Sequence, residues 1–153
     1  MLETTRNPAL EAWVGLLRTH RAAFRDLGAG LVQEHGLSIN DYETLYLLSE
    51  AESGRLRRTD LAQSLQLTPS GITRLLVGLE RSGLVRRAEC PADARVAYAE
   101  LTDGGRERLA AASCSHVAAI EDLFNVHLGP EEVEQLAELL RRLPGAGPRC
   151  SLR

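Results

Sequence analysis

From residue 8 to residue 35, apolar side chains recur every three or four positions. Trp13, Leu16, Leu17, Phe24, Leu27 and Leu31 lie on one line, with His20 among them. This spacing predicts a long amphipathic helix, with Pro8 suited to its first turn and Gly36 to its stop. Ser38 is placed to cap a second helix, with Asp41 in its first turn and Tyr42, Leu45 and Leu48 turned inward. "ESGR" ends that helix. A short helix is expected over residues 59–65, with Leu61, Ala62 and Leu65 on its inner face. Thr68 and Pro69 then form a strong helix start, Ile72, Leu75, Leu76 and Leu79 make the stripe, and Gly83 stops it. Residues 84–88 and 96–101 read as two short strands around the polar loop "ECPADAR", a hairpin. Thr102 caps a long helix running to about Leu128, with Leu109, Val117, Ile120 and Phe124 on its apolar side. Gly129-Pro130 opens a last helix with Val133, Leu136, Leu140 and Leu143 inward, and "PGAGPRCSLR" is expected to be a disordered tail.

Two helices joined by the short link "QLT", followed by a hairpin, spell a winged helix-turn-helix. The fold class expected is therefore mainly α with a small β-wing. The second helix of the pair has an unusual start. Thr68, Ser70, Gly71, Thr73 and Arg74 are small or polar and build no core. Ser70 and Thr73 offer hydroxyls, Gly71 removes bulk, and Arg74 carries a fork that pairs with guanine or phosphate. Open N–H groups in a first helical turn also favour an anion. These features suit entry into the major groove of double-stranded DNA. An ordinary amphipathic helix with a solvated face would carry the same stripe, and the hairpin tips the balance. Arg86 and Arg87 leave its first strand, and Arg95 ends the loop with Asp93 placed to hold it extended. An arginine on a protruding wing suits a narrow minor groove. The plain alternative for Arg95 is a weak surface ion pair with Asp93.

The overall charge of −3 argues against a nucleic-acid partner, but its distribution does not. All 18 basic residues are arginine. Residues 54–108 hold ten arginines against seven acids, a net of +3, and the rest of the chain holds eight against fourteen, a net of −6. The basic excess thus surrounds the helix-turn-helix. Cys90, Cys114 and Cys150 form neither a disulfide framework nor a zinc knuckle. His116 and His127 are three turns apart on one helix, too far to share a metal without other ligands. No phosphate-binding loop, HExxH, GxSxG or dinucleotide-binding glycine pattern is present, so neither an enzyme nor a bound cofactor or metal is expected. No apolar run approaches a membrane span and no secretory signal is visible, which points to a soluble cytoplasmic protein with no membrane partner.

The stretch "GRLRRTDLAQSLQLTPSGITRLLVGLERSGLVRRAECPADARVAYAELTDGGR" resembles the core of the MarR family, the multiple-antibiotic-resistance regulators. The matching pieces are "LAQSLQLTPSGITRLLVGLERSGLV", the wing "PADAR" and the helix start "LTDGGR". Two positions depart from the family pattern. Cys90 stands where Asp is frequent, and Ala94 stands where the wing often has the first of two arginines, so Arg95 alone carries that match. The resemblance implies a homodimeric transcription regulator on a pseudo-palindromic operator. Residues 1–36 and 102–144 would form the dimerisation helices, 37–101 the winged domain and 145–153 the tail. The long apolar stripes at both ends agree with a dimer independently. The family also implies a repressor released by a small aromatic or phenolic anion, for which Trp13, Arg18, His20 and Tyr42 are the candidate contacts. The plain reading of that aromatic stripe is core. Two other readings stay open. A regulator could respond to thiol oxidation through Cys90, beside Arg86 and Arg87. A protein-interaction module could use the same helices without DNA, leaving Arg74 and Arg95 without a role.

Overall fold

The computed structural model describes residues 6–90 and 93–145, without the side chains of residues 90 and 93–95. Its elements run α1 (Pro8–His35), α2 (Ile39–Glu50), β1 (Arg55–Arg57), α3 (Arg58–Ser64), α4 (Pro69–Arg81), β2 (Val85–Cys90), β3 (Asp93–Leu101), α5 (Asp103–Asn125) and α6 (Pro130–Arg141). The three strands form one antiparallel sheet in the order β1-β3-β2. The fold is thus mainly helical with a small sheet, as expected. Among the described residues, no helix is long and apolar enough to cross a membrane.

Local capping sets the helix ends. Asn7 Oδ1 accepts from the Ala9 and Leu10 N–H groups at 3.1 and 3.2 Å and starts α1. Gly36 ends it at φ 67°, a left-handed turn that glycine adopts without steric cost. Ser38 and Asp41 form a reciprocal capping box on α2, with N–H to side-chain distances of 2.8 and 3.1 Å. The strand β1 was not foreseen. It has three residues, and its pairing partners on β3 lie more than 40 positions later: Arg55 with Glu100, Leu56 with Ala99, Arg57 with Tyr98. The hairpin strands are longer than expected and absorb most of the polar loop. The helix α5 stops at Asn125 rather than near Leu128.

Two compact units divide the chain, Met1–His116 and Val117–Arg153, and α5 runs through the division. The first unit holds the core. Tyr42, Leu45 and Leu48 of α2, Leu61 of α3, Ile72, Leu76 and Leu79 of α4, and Val85, Ala99 and Leu101 of the sheet are all buried. Each such Leu contributes about 1.5–3 kcal/mol relative to exposure. The stripe of α1 behaves differently: Leu31 is buried, whereas Trp13 and Phe24 are 57% and 44% exposed. In the second unit α6 has no buried residue, and Leu139 and Leu143 are exposed.

The start of α5 is welded to the turn between α4 and β2. Thr102 Oγ1 donates to the Gly83 carbonyl at 2.7 Å and accepts from the Gly105 N–H at 3.0 Å. The Thr102 N–H bonds to the Leu84 carbonyl at 3.2 Å. Gly105 is buried there because nothing larger fits. A Cβ on it would lie 2.1 Å from the Leu84 carbonyl oxygen and 2.6 Å from Leu101 Cδ1. One of those partners is backbone and cannot rotate away. Gly105→Ala is therefore expected to destabilise the protein by at least about 1–3 kcal/mol. At Gly104 the nearest atom to a Cβ would be 3.6 Å away, an ordinary contact, so Gly104→Ala should be neutral or mildly stabilising. Thermal unfolding of both variants checks this; equal melting temperatures would contradict the packing described.

Candidate nucleic-acid interface

The helix α4 is held on α3 by Leu61, Ile72 and Leu76, all nearly inaccessible to solvent. The turn before it is tight. Gln66 takes a positive φ of 53°, and the Leu67 N–H reaches the Ala62 carbonyl at 2.8 Å. A glutamine in the left-handed region costs on the order of 1 kcal/mol, which the surrounding packing holds in place. Thr68 then caps α4: its Oγ1 accepts from the Gly71 N–H at 3.1 Å and lies 3.2 Å from Ser70 Oγ.

This cap changes the reading of the first turn. Gly71 is small for an internal reason, since a Cβ there would come within 3.2 Å of Thr68 Oγ1. Thr73 donates its hydroxyl proton to the Pro69 carbonyl at 2.8 Å, so outward it offers lone pairs and a methyl group. Pro69 has no N–H, and the Gly71 and Ile72 N–H groups both bond to Thr68. The Ser70 N–H is thus the first-turn donor left for an outside acceptor. Ser70, Thr73 and Arg74 are all exposed. Among the described residues Arg74 has no hydrogen bond or ion pair, so its guanidinium is ready for an external partner.

Arg86 is not free in this way. Pairing on β3 places it opposite Glu100, and its Nη2 donates to Glu100 Oε1 at 2.6 Å. That contact raises the arginine pKa and, with Arg55 and Arg106 nearby, holds the Glu100 carboxyl below its usual range. Glu100 was missed in the sequence because opposite charges fourteen positions apart become neighbours only once the hairpin register is known. The strands approach their tip with Cys90 paired to Asp93 after an irregularity at Glu89 and Cys90. The side chains of Cys90, Asp93 and Arg95 lie outside the described residues, as does the segment 146–153.

The four candidate ligand contacts do not form one cluster. Tyr42 is 4% exposed; its hydroxyl lies 3.1 Å from Ser113 Oγ, and its ring meets His116 edge-on at 4.6 Å. Burial holds His116 below its ordinary range. Tyr42 therefore faces the core and α5, whereas Trp13, Arg18 and His20 sit on the exposed surface of α1. His20 packs on Phe24 with centroids 5.6 Å apart and is close to Glu43, whose carboxyl burial pushes up. A carboxylate drawn to His20 would meet Glu43 as well. Arg18 borders a shallow groove of about 360 Å³ walled by Leu10, Glu11, Val14 and Gly15. No group of side chains that could hold a metal ion occurs among the described residues.

Comparison with known proteins gives this geometry a context. The sequence model of the MarR family matches residues 35–96. The chain is 35% identical to the HTH-type transcriptional repressor YetL of Bacillus subtilis over 73% of its own length and 72% of the relative's. Among solved structures it is similar to AbsC, a MarR family transcriptional regulator from Streptomyces coelicolor, with 34% identity, 90% and 92% of the two chains covered and a TM-score of 0.80. It is likewise similar to Sco3205, a MarR family regulator from the same organism solved in complex with DNA, with 30% identity, 93% and 90% covered and a TM-score of 0.81.

Proposed function

We propose, for a chain that belongs to the MarR family of DNA-binding transcription regulators, that it is a homodimeric repressor whose two α4 helices read successive major grooves of a pseudo-palindromic operator. The observation that carries this reading is the exposed Arg74, without a hydrogen bond or ion pair among the described residues, one turn into a helix whose opposite face is sealed in the core. Thr68 shapes the helix start, Ser70 and Thr73 line the approach, and Gly71 keeps the cap open. For the wing the assignment rests on the sequence alone, with Arg95 and Asp93 given to the minor groove and Arg86 to the base of the hairpin. The repressor role is in keeping with the name of the Bacillus subtilis relative.

The exposed apolar residues support the dimer. Leu10, Trp13, Leu16 and Phe24 on α1, and Val126, Leu139 and Leu143 in the second unit, are large side chains left in solvent by a single chain. Burial against a second copy would recover about 25 cal/mol for each Å² of apolar surface covered. We also infer release by a small aromatic acid, with Arg18 as its anchor. In support, Arg18 stands beside Leu10 and Val14 on an open, largely apolar face of α1.

Two measurements test these readings. Arg74→Ala should weaken operator binding by about 1–3 kcal/mol per half-site and relax preference at the base pair it reads. An equal loss on operator and random DNA would show instead that Arg74 touches only phosphate. Titrating hydroxybenzoates into the protein–DNA complex should release DNA, and Arg18→Ala should blunt that response. A variant that responds as the parent does would remove Arg18 from the site.

A further inference from the structure

We propose that Thr73 selects a thymine in the major groove, by packing its methyl group against the C5 methyl of the base. The inference rests on the reading of α4 as the groove helix and names the chemistry of one position within it.

The hydroxyl of Thr73 is already committed. It donates to the Pro69 carbonyl, one turn back, at 2.8 Å, which spends its proton inside the helix. The methyl group and the oxygen lone pairs remain for an outside partner. Thr73 is exposed, while Ile72 and Leu76 on the far side of α4 are buried, and this places Thr73 on the outward face. Val77 follows four residues later on the same face and is partly exposed. Side chains in a helix lean toward its N-terminus, which brings Val77 up beside Thr73. Neither residue belongs to the buried core cluster. Together they make an apolar ledge on the outward face, next to the charged Arg74.

Base chemistry then narrows the partner. In the major groove guanine shows only the acceptors N7 and O6. A hydroxyl with no proton to give would meet them lone pair to lone pair. Adenine and cytosine show amino donors, which the Thr73 oxygen is able to accept. Thymine alone carries a methyl group, at C5 beside its O4 acceptor. The ledge of Thr73 and Val77 matches that methyl group, because both sides are apolar and both shed water on contact. Covering one methyl group changes affinity about fourfold. This choice is separate from that of Arg74, whose fork suits guanine.

The test uses an operator selected from genomic fragments that the parent retains. Each thymine is replaced in turn by deoxyuridine, in both half-sites together, which removes one methyl group and no hydrogen-bonding group. Affinities are measured for the parent, for Thr73→Ser and for Thr73→Val. Serine keeps the hydroxyl without the methyl group; valine keeps the methyl group without the hydroxyl. The parent should lose about fourfold per half-site at one thymine. Thr73→Ser should ignore that replacement and bind the thymine operator as weakly as the parent binds the deoxyuridine one. Thr73→Val should stay sensitive to it and bind the thymine operator with the parent's affinity. A parent indifferent to deoxyuridine at every position overturns the proposal. A serine variant as sensitive as the parent also overturns it, because the methyl contact would then belong to another residue. So does a valine variant that binds the thymine operator much more weakly, because the oxygen would then be reading an amino group. A parent that binds no duplex DNA overturns the reading of α4 itself, a result distinct from all of these.

Discussion

One backbone contact fixes the working parts of the winged unit relative to one another. The first turn of α5 sits against the Gly83-Leu84 turn so closely that a single methyl group at Gly105 has no room. Thr102 bridges the same joint, bonding to both residues of the turn. That turn ends α4 and begins β2. The recognition helix, the sheet and the start of α5 are therefore clamped at one point. Leu101 supplies a further tie, since its N–H bonds to the Gly54 carbonyl at 2.9 Å and draws in the segment before β1. In physical terms this is rigidity from close packing with backbone partners, which cannot relax by changing rotamer.

With the scaffold fixed, function depends on which polar groups are left unsatisfied. The hydroxyls at the start of α4 are largely used within the helix, by the Thr68 cap and by Thr73 bonding back to Pro69. Among the described residues Arg74 is left open, and Arg86 is held by Glu100. Holding an arginine with a carboxylate on an exposed sheet contributes little to stability, because solvent screens the pair. Its consequence is geometric: it fixes where the Arg86 guanidinium points. The same economy explains how a protein of net charge −3 presents a DNA-binding face. Position, not total charge, sets the local field.

Much of this was legible in the sequence, and the parts that were not share a cause. Helix boundaries rest on local signals, so Pro8, Gly36, Ser38, Thr68 and Pro69 marked α1, α2 and α4 closely. The inward faces of α2 and α4 also followed from periodicity. By contrast β1 exists only through its partners on β3, and three residues carry no readable period. Gln66 in a left-handed conformation gives no composition signal, since glycine or asparagine is the usual choice there. Arg86 and Glu100, and the close approach at Gly105, depend on register and packing between distant segments. Tyr42, inward by periodicity, is indeed buried beside His116, which separates it from the exposed Trp13 with which it shared a candidate ligand role. A periodic stripe shows that a helix has an apolar side, and it does not show what covers that side.

In the proposed complex, two copies of α4 enter successive major grooves of one duplex. Methylation interference measures this directly, because N7 of guanine lies in the major groove. The site would be selected from genomic fragments that the protein retains, then partially methylated, bound and sorted into bound and free DNA. Interfering guanines are expected in two symmetric clusters with centres about 34–36 Å apart along the helix axis. A single cluster, or binding indifferent to methylation at every guanine, would contradict it.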